Sequence, residues 1–126
     1  MSPGDTRRYE VRARSTGTFG RVLWSCRDQH FVADGPVHNG CPGEAVTPAE
    51  LFLAGIAACG VELVEVIAKA EGAPLTAARA EVAGEIDPED PVRADVSVFN
   101  RVRLSFTLEG VTAAQAELLV DRFKKR

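Results

Sequence analysis

Between Leu51 and Val61 the chain runs for eleven residues without a charge, Leu-Phe-Leu-Ala-Gly-Ile-Ala-Ala-Cys-Gly-Val. Thr47-Pro48-Ala49-Glu50 stands directly in front of it. Thr47 can cap a helix, Pro48 suits the first helical position, and Glu50 lies three residues after the cap. Gly72, with Pro74 just beyond, marks a stop. A helix is therefore expected from Pro48 to about Ala70. Eleven apolar residues fall short of the ~20 that cross a bilayer. The run is expected to be buried in protein, with no membrane as partner. Glu65 and Lys69 form an i,i+4 pair and predict a wetter second half.

The 126 residues suit one compact domain over 1–126. Fifteen basic against eighteen acidic residues leave a net charge of -3, which disfavours nucleic acid as a partner. Three cysteines are too few, and odd in number, for a secreted disulfide scaffold. Met1 to Glu10 holds no apolar run of the signal-peptide kind. A cytoplasmic location is the expectation.

Tyr9, Val11 and Ala13 alternate with charged residues, the period of a half-buried strand. Gly17-Thr18 separates it from a second run, Phe19 to Cys26, and Gln29 to Asp34 forms a third. The three read as a small antiparallel meander. A Gly- and Pro-rich loop covers Asp34 to Val46. Ala78 to Asp87 reads as a strand, and Val92 to Phe99 as strand or irregular chain. Val102, Leu104, Phe106 and Leu108 alternate strictly with polar neighbours and give the clearest strand. Thr112 with Gln115 announces a second helix, whose stripe is Ala116, Leu119, Val120 and Phe123. The order β-β-β-α-β-β-α, with a mostly antiparallel sheet, is α+β.

Cys59 is the first candidate for chemistry. Ala57, Ala58 and Gly60 leave little bulk around its sulfur. The other reading is a free cysteine acting as a small buried hydrophobe. Cys59 lies roughly 16 Å from the helix start at ~1.5 Å per residue. The helix dipole fades within a turn, so an arginine from elsewhere would have to stabilise a thiolate. Glu50 lies nine residues before Cys59, about 900° around the helix, hence on the opposite face. It would act on Cys59 through an arginine or from another subunit. Cys26, His30, His38 and Cys41 hold the right atoms for zinc, with Cys26 and His30 on one face if that segment stays extended. The paired short spacing of a zinc finger is absent, and ordinary strand and loop roles stand against it. Most of Arg7, Arg8, Arg12, Arg14, Arg21 and Arg27 are expected to be solvated strand charges, with one or two facing a site. No phosphate-cradling glycine loop, nucleotide fingerprint or Ser-His-Asp order is present.

Residues 47 to 59, Thr-Pro-Ala-Glu-Leu-Phe-Leu-Ala-Gly-Ile-Ala-Ala-Cys, resemble the central helix of the OsmC/Ohr superfamily, the osmotically inducible and organic-hydroperoxide-resistance proteins. The likeness continues through Val82 to Asp87 and Arg103 to Gly110 to the helix Ala116 to Phe123, covering roughly residues 9 to 126. It implies an OsmC-like α+β fold with a long buried central helix, an intertwined homodimer, and a site made by both subunits. It implies Cys59 as the peroxidatic thiol, an arginine holding the thiolate, and a glutamate orienting that arginine. Arg21 and Glu50 are the residues that match, loosely. The superfamily's glutamate in the hydroperoxide-resistance branch falls at Ala49, and its arginine near Phe19. Its resolving cysteine and final strand have no counterpart before Arg126, so the sulfenic acid would be resolved by Cys26, Cys41 or an external thiol reductant. The activity implied is reduction of small organic hydroperoxides, with no cofactor and no metal. The alternative is a non-catalytic member holding a small apolar ligand at the dimer interface.

Overall fold

The computed structural model describes residues 4–126, so the first three residues of the Met1 to Glu10 segment lie outside it. The chain divides into two compact units, Met1–Leu51 and Phe52–Arg126. Length alone leads to the expectation of one domain over 1–126, whereas the contacts group into these two units.

The first unit holds the meander: β1 (Arg12–Ser15), β2 (Arg21–Cys26) and β3 (Gln29–Asp34), in the order β1-β2-β3 and antiparallel throughout. The β2–β3 hairpin closes over Arg27-Asp28, with Arg27 in the left-handed region at φ 53°. β1 starts at Arg12 rather than Tyr9, and all four of its residues are exposed. The half-buried strand read from Tyr9, Val11 and Ala13 is thus corrected: β1 is an edge strand pairing only with β2, and Tyr9 and Val11 stand before it, exposed. Phe19 is likewise exposed and outside β2. A single turn of 3-10 helix (Val37–Asn39) lies in the loop that follows.

Helix α1 (Pro48–Glu71) begins and ends at the sequence signals. Gly72 takes φ 68°, Ala73 N–H bonds Ala68 O and Gly72 N–H bonds Lys69 O, which is a Schellman stop. Among the described residues it is the one helix long and apolar enough to cross a membrane by length and composition alone. The eleven charge-free residues understate its apolar length, because the apolar character extends past Glu62. The expected wetter second half is also reversed. Of Leu51 to Val61 only Gly60 is buried in the single chain, whereas Val64, Ile67 and Ala68 are fully enclosed.

The reason is the second sheet. β4 (Ala77–Glu85) and β5 (Arg101–Glu109) pair antiparallel, Ala77 opposite Glu109 through Glu85 opposite Arg101. Leu104, Phe106 and Leu108 alternate onto one face, as their spacing predicts. Helix α2 (Ala113–Phe123) opens with the Thr112–Gln115 capping box and sets Leu119 against Val64, Ile67 and Ala68. Phe106 and Phe123 meet edge to face at 5.3 Å. A Cβ at Gly60 would stand 2.9 Å from the Phe106 ring, so glycine permits the close approach of α1 to β5. Between Glu85 and Arg101 the chain is irregular, with one isolated bridge, Arg93 to Val96, which settles the reading of Val92 to Phe99. The fold is α+β with two antiparallel sheets rather than one.

Candidate functional site

Register places Arg21 directly opposite Asp34 at the open end of the β2–β3 hairpin. Their side chains meet as a fork: Arg21 Nε donates to Asp34 Oδ1 at 2.8 Å and Nη2 to Oδ2 at 2.9 Å. Asp34 is 0% exposed. Its Oδ2 also accepts the backbone N–H of Glu44 (3.0 Å) and of Ala45 (2.8 Å). A buried carboxylate is tolerable when its lone pairs are filled in this way. Arg21 Nη2 donates as well to Glu44 Oε1 at 3.1 Å. The Arg21 fork, then the Ala45 N–H, hold the Asp34 carboxyl well below the usual carboxylate range, against the opposing effect of burial. Bonding to Asp34, then to Glu44, pushes the guanidinium still further toward its charged form.

Glu50 stands in the capping box that its spacing from Thr47 predicts. Its Oε1 accepts the Thr47 N–H and the Thr47 hydroxyl, both at 2.9 Å, while its own N–H donates to Thr47 Oγ1. The Thr47 N–H, then the hydroxyl, lower its pKa. This is the capping box, and it engages Oε1 of the carboxylate. The structure does not pair Glu50 with Arg21; Asp34 and Glu44 hold the guanidinium instead. Neither was singled out from the sequence. A signal existed: with the turn at Arg27-Asp28, counting outward along the hairpin sets Arg21 against Asp34.

Cys59 lies mid-way along α1 and is exposed, while Cys26 and Cys41 are half-buried. Seven residues separate Cys59 from Phe52, so the two share a helix face, with Gly55 and Ile56 between them. Cys41 packs onto two glycines: a Cβ at Gly20 or Gly35 would come within 2.5 Å of its sulfur.

The four zinc candidates do not come together. Cys26 pairs with Gln29 and Ser25 with His30. Paired residues share a face and neighbours alternate, so Cys26 and His30 point to opposite faces. The expectation of one face fails because the segment turns at Arg27. His30 Nδ1 is bonded to Ser25 Oγ at 2.7 Å, and the Cys41 thiol faces Asn39 O at 3.8 Å. Among the described residues no group of three His, Cys, Asp or Glu side chains could hold a metal ion.

Two antiparallel sheets and two helices, with an exposed thiol on the longer one, define a class of small α+β proteins. The family model described as OsmC-like protein matches residues 41–126, and the chain belongs to that family. Among solved structures, the OsmC-like protein of Mycoplasma pneumoniae is 16% identical, with a TM-score of 0.80 over 95% of this chain and 82% of its own. An organic hydroperoxide resistance protein of Elizabethkingia anophelis, solved with thiocyanate bound, is 18% identical, with a TM-score of 0.76 over 96% of this chain and 85% of its own. An organic hydroperoxide resistance protein from Legionella pneumophila is 22% identical, at 0.65 over 96% and 85%. At these identities the likeness is one of fold. No curated protein matches the sequence.

Proposed function

We propose that the protein is a thiol-dependent reductase of organic hydroperoxides, with Cys59 as the reacting thiol. The observation that carries the reading is the exposure of Cys59, on the helix of the family signature, against the half-burial of Cys26 and Cys41. The thiolate attacks the terminal peroxide oxygen, and the O–O bond breaks. Sulfur gives up an electron pair and becomes a sulfenic acid, and the departing alkoxide takes a proton to leave as an alcohol. Two equivalents of an external thiol return the enzyme: the first forms a mixed disulfide and releases water, the second releases Cys59 and leaves as a disulfide. Arg21, the nearest loose match to the family's arginine, would supply the guanidinium that holds the thiolate. Asp34 and Glu44 hold Arg21 in place of Glu50, which caps α1. The protein acts as a homodimer in the cytoplasm, and the uncovered apolar half of α1 supports the dimer.

A second reading keeps the fold without the chemistry: a small apolar ligand is held at the dimer interface, where Cys59 is a packed thiol. The engagement of Arg21 by two carboxylates favours it, because that charge is already compensated. A short pulse of cumene hydroperoxide on reduced protein, followed by peptide mass mapping, separates the two. Selective oxidation at Cys59 supports the reductase; equal slow oxidation at all three cysteines supports the ligand holder.

A further inference from the structure

We propose that one face of the first unit's sheet binds a tetrahedral oxyanion, a phosphate or sulfate group, between Arg12, Arg14 and the Ser25–His30 pair, and that proton uptake by His30 strengthens the binding. The inference uses no part of the Cys59 chemistry and stands or falls separately from it.

The register builds the site. Arg12 on β1, Ser25 on β2 and His30 on β3 are cross-strand partners, so they form one row on one face. Arg14, Leu23 and Val32 form the next row of the same face, ~6.6 Å along the strands at ~3.3 Å per residue. A depression of about 170 Å³ lies there, lined by both arginines, Leu23 and Ser25. Ser25 is only 7% exposed and forms its floor, whereas Arg12, Arg14 and His30 are exposed around it.

The positive charge on this face is uncompensated. Among the described residues neither Arg12 nor Arg14 has a carboxylate partner. Arg12 Nη2 donates to Arg27 O at 3.3 Å, and the Arg14 guanidinium is unbonded. The carboxylates that flank the face do not answer them. Glu10 is paired with Arg8, Asp28 lies in the exposed β2–β3 turn, and Arg21 takes both Asp34 and Glu44. Two guanidiniums two residues apart on one strand repel each other, and an anion between them reverses the sign. Their N–H forks match the oxygens of a phosphate or sulfate.

His30 supplies the pH dependence. Its Nδ1 is bonded to Ser25 Oγ at 2.7 Å. In the neutral ring the hydroxyl hydrogen can fill that bond, which leaves Ser25 with only lone pairs toward the depression. The imidazolium carries a hydrogen on both nitrogens and must donate, so the hydroxyl keeps its own hydrogen for an anion. Protonation thus adds a charge and makes Ser25 a donor in one step. Leu23 and the 43% exposed Val32 continue the Arg14 row as an apolar ledge for a small organic body carrying the group.

The test is saturable binding of sulfate to the full-length protein, read from the backbone amide shifts of Arg14, Ser25 and His30, with ionic strength held constant by chloride. Sulfate keeps its charge between pH 6.0 and pH 8.0, so a change in affinity over that range comes from the protein. Wild type is expected to bind about fivefold more tightly at pH 6.0 than at pH 8.0. Arg14→Gln removes a guanidinium without a partner of its own, and is expected to weaken binding about tenfold at both pH values. His30→Gln is expected to bind equally at both. Melting temperatures check that each variant is folded. At pH 8.0, tighter binding of phenyl phosphate than of inorganic phosphate assigns the site to a monoester, and equal binding assigns it to the free ion. No saturable shift at these amides overturns the proposal, as does an Arg14→Gln protein that binds like wild type. So does a wild-type affinity independent of pH, or a pH dependence that survives in His30→Gln.

Discussion

Leu119 is 1% exposed on α2 and touches the second half of α1, whereas its neighbour Leu118 is 47% exposed. Replacing each by alanine tests where the core of the second unit sits. Leu119→Ala removes about three methylene equivalents, about 2.4 kcal/mol at ~0.8 kcal/mol each. A cavity adds to this, because Val64, Ile67, Phe106 and Phe123 are held by their own neighbours and close up only in part. The expected cost is about 3–4 kcal/mol. With an unfolding entropy of ~2.1 cal/mol/K per residue, that lowers the melting temperature by about 10–15 °C. Leu118→Ala loses about half of the transfer term and leaves no cavity, so about 1 kcal/mol is expected. Alanine is a slightly better helix former in both, so propensity cancels in the comparison. Urea melts of the three proteins, with unchanged m-values, supply the numbers. Equal costs at the two positions, or a cost below about 1 kcal/mol at Leu119, would refute the placing of the core under α2.

Three further outcomes follow from named contacts. Asp34→Asn should be less stable than wild type at neutral pH, by an amount that is complete above the ordinary aspartate pKa of ~3.9 and shrinks as pH falls toward the depressed folded value. A difference in urea midpoint that stays constant from pH 7 to pH 2 would contradict the Arg21–Asp34 fork. Thr112→Ala removes the acceptor for the Gln115 N–H and should cost about 1 kcal/mol; a loss under about 0.3 kcal/mol would mean that the capping box does not hold α2. Phe52 and Phe99 stack with ring centroids 5.7 Å apart, and a Cβ at Gly84 would stand 2.6 Å from the Phe99 ring, so Gly84→Ala should disturb the pair, read as a changed near-ultraviolet aromatic signal. An unchanged spectrum would contradict the packing of Phe99 on Gly84.

Much of the element order was legible because each boundary carried its own chemistry. Thr47-Pro48 and Gly72 framed α1, Thr112 and Gln115 opened α2, and the alternation through Leu104, Phe106 and Leu108 gave β5. Burial was less legible. Hydropathy marks Leu51 to Val61 as the most apolar stretch, yet the single chain packs the later turn of Val64, Ile67 and Ala68. What decides is where β5 and α2 arrive, and Gly60 gives the only hint, as the point where a side chain could not stand beside Phe106. Of the proposed site, Cys59 was legible from the small residues around it, and Arg21 only as a loose match to the family's arginine. The Glu50 cap was legible from its spacing to Thr47, and the structure shows it; whether the same carboxylate also serves an arginine is not written in that spacing. Asp34 was missed because its importance comes from burial and from backbone N–H groups ten and eleven residues away.

The central claim is that Cys59 reduces hydroperoxides. Steady-state loss of cumene hydroperoxide with dithiothreitol tests it most directly, comparing wild type, Cys59→Ser, and a Cys26→Ser, Cys41→Ser double variant. The account predicts that turnover vanishes in Cys59→Ser and persists in the double variant, because an external thiol resolves the sulfenic acid. Wild-type turnover in Cys59→Ser would contradict it.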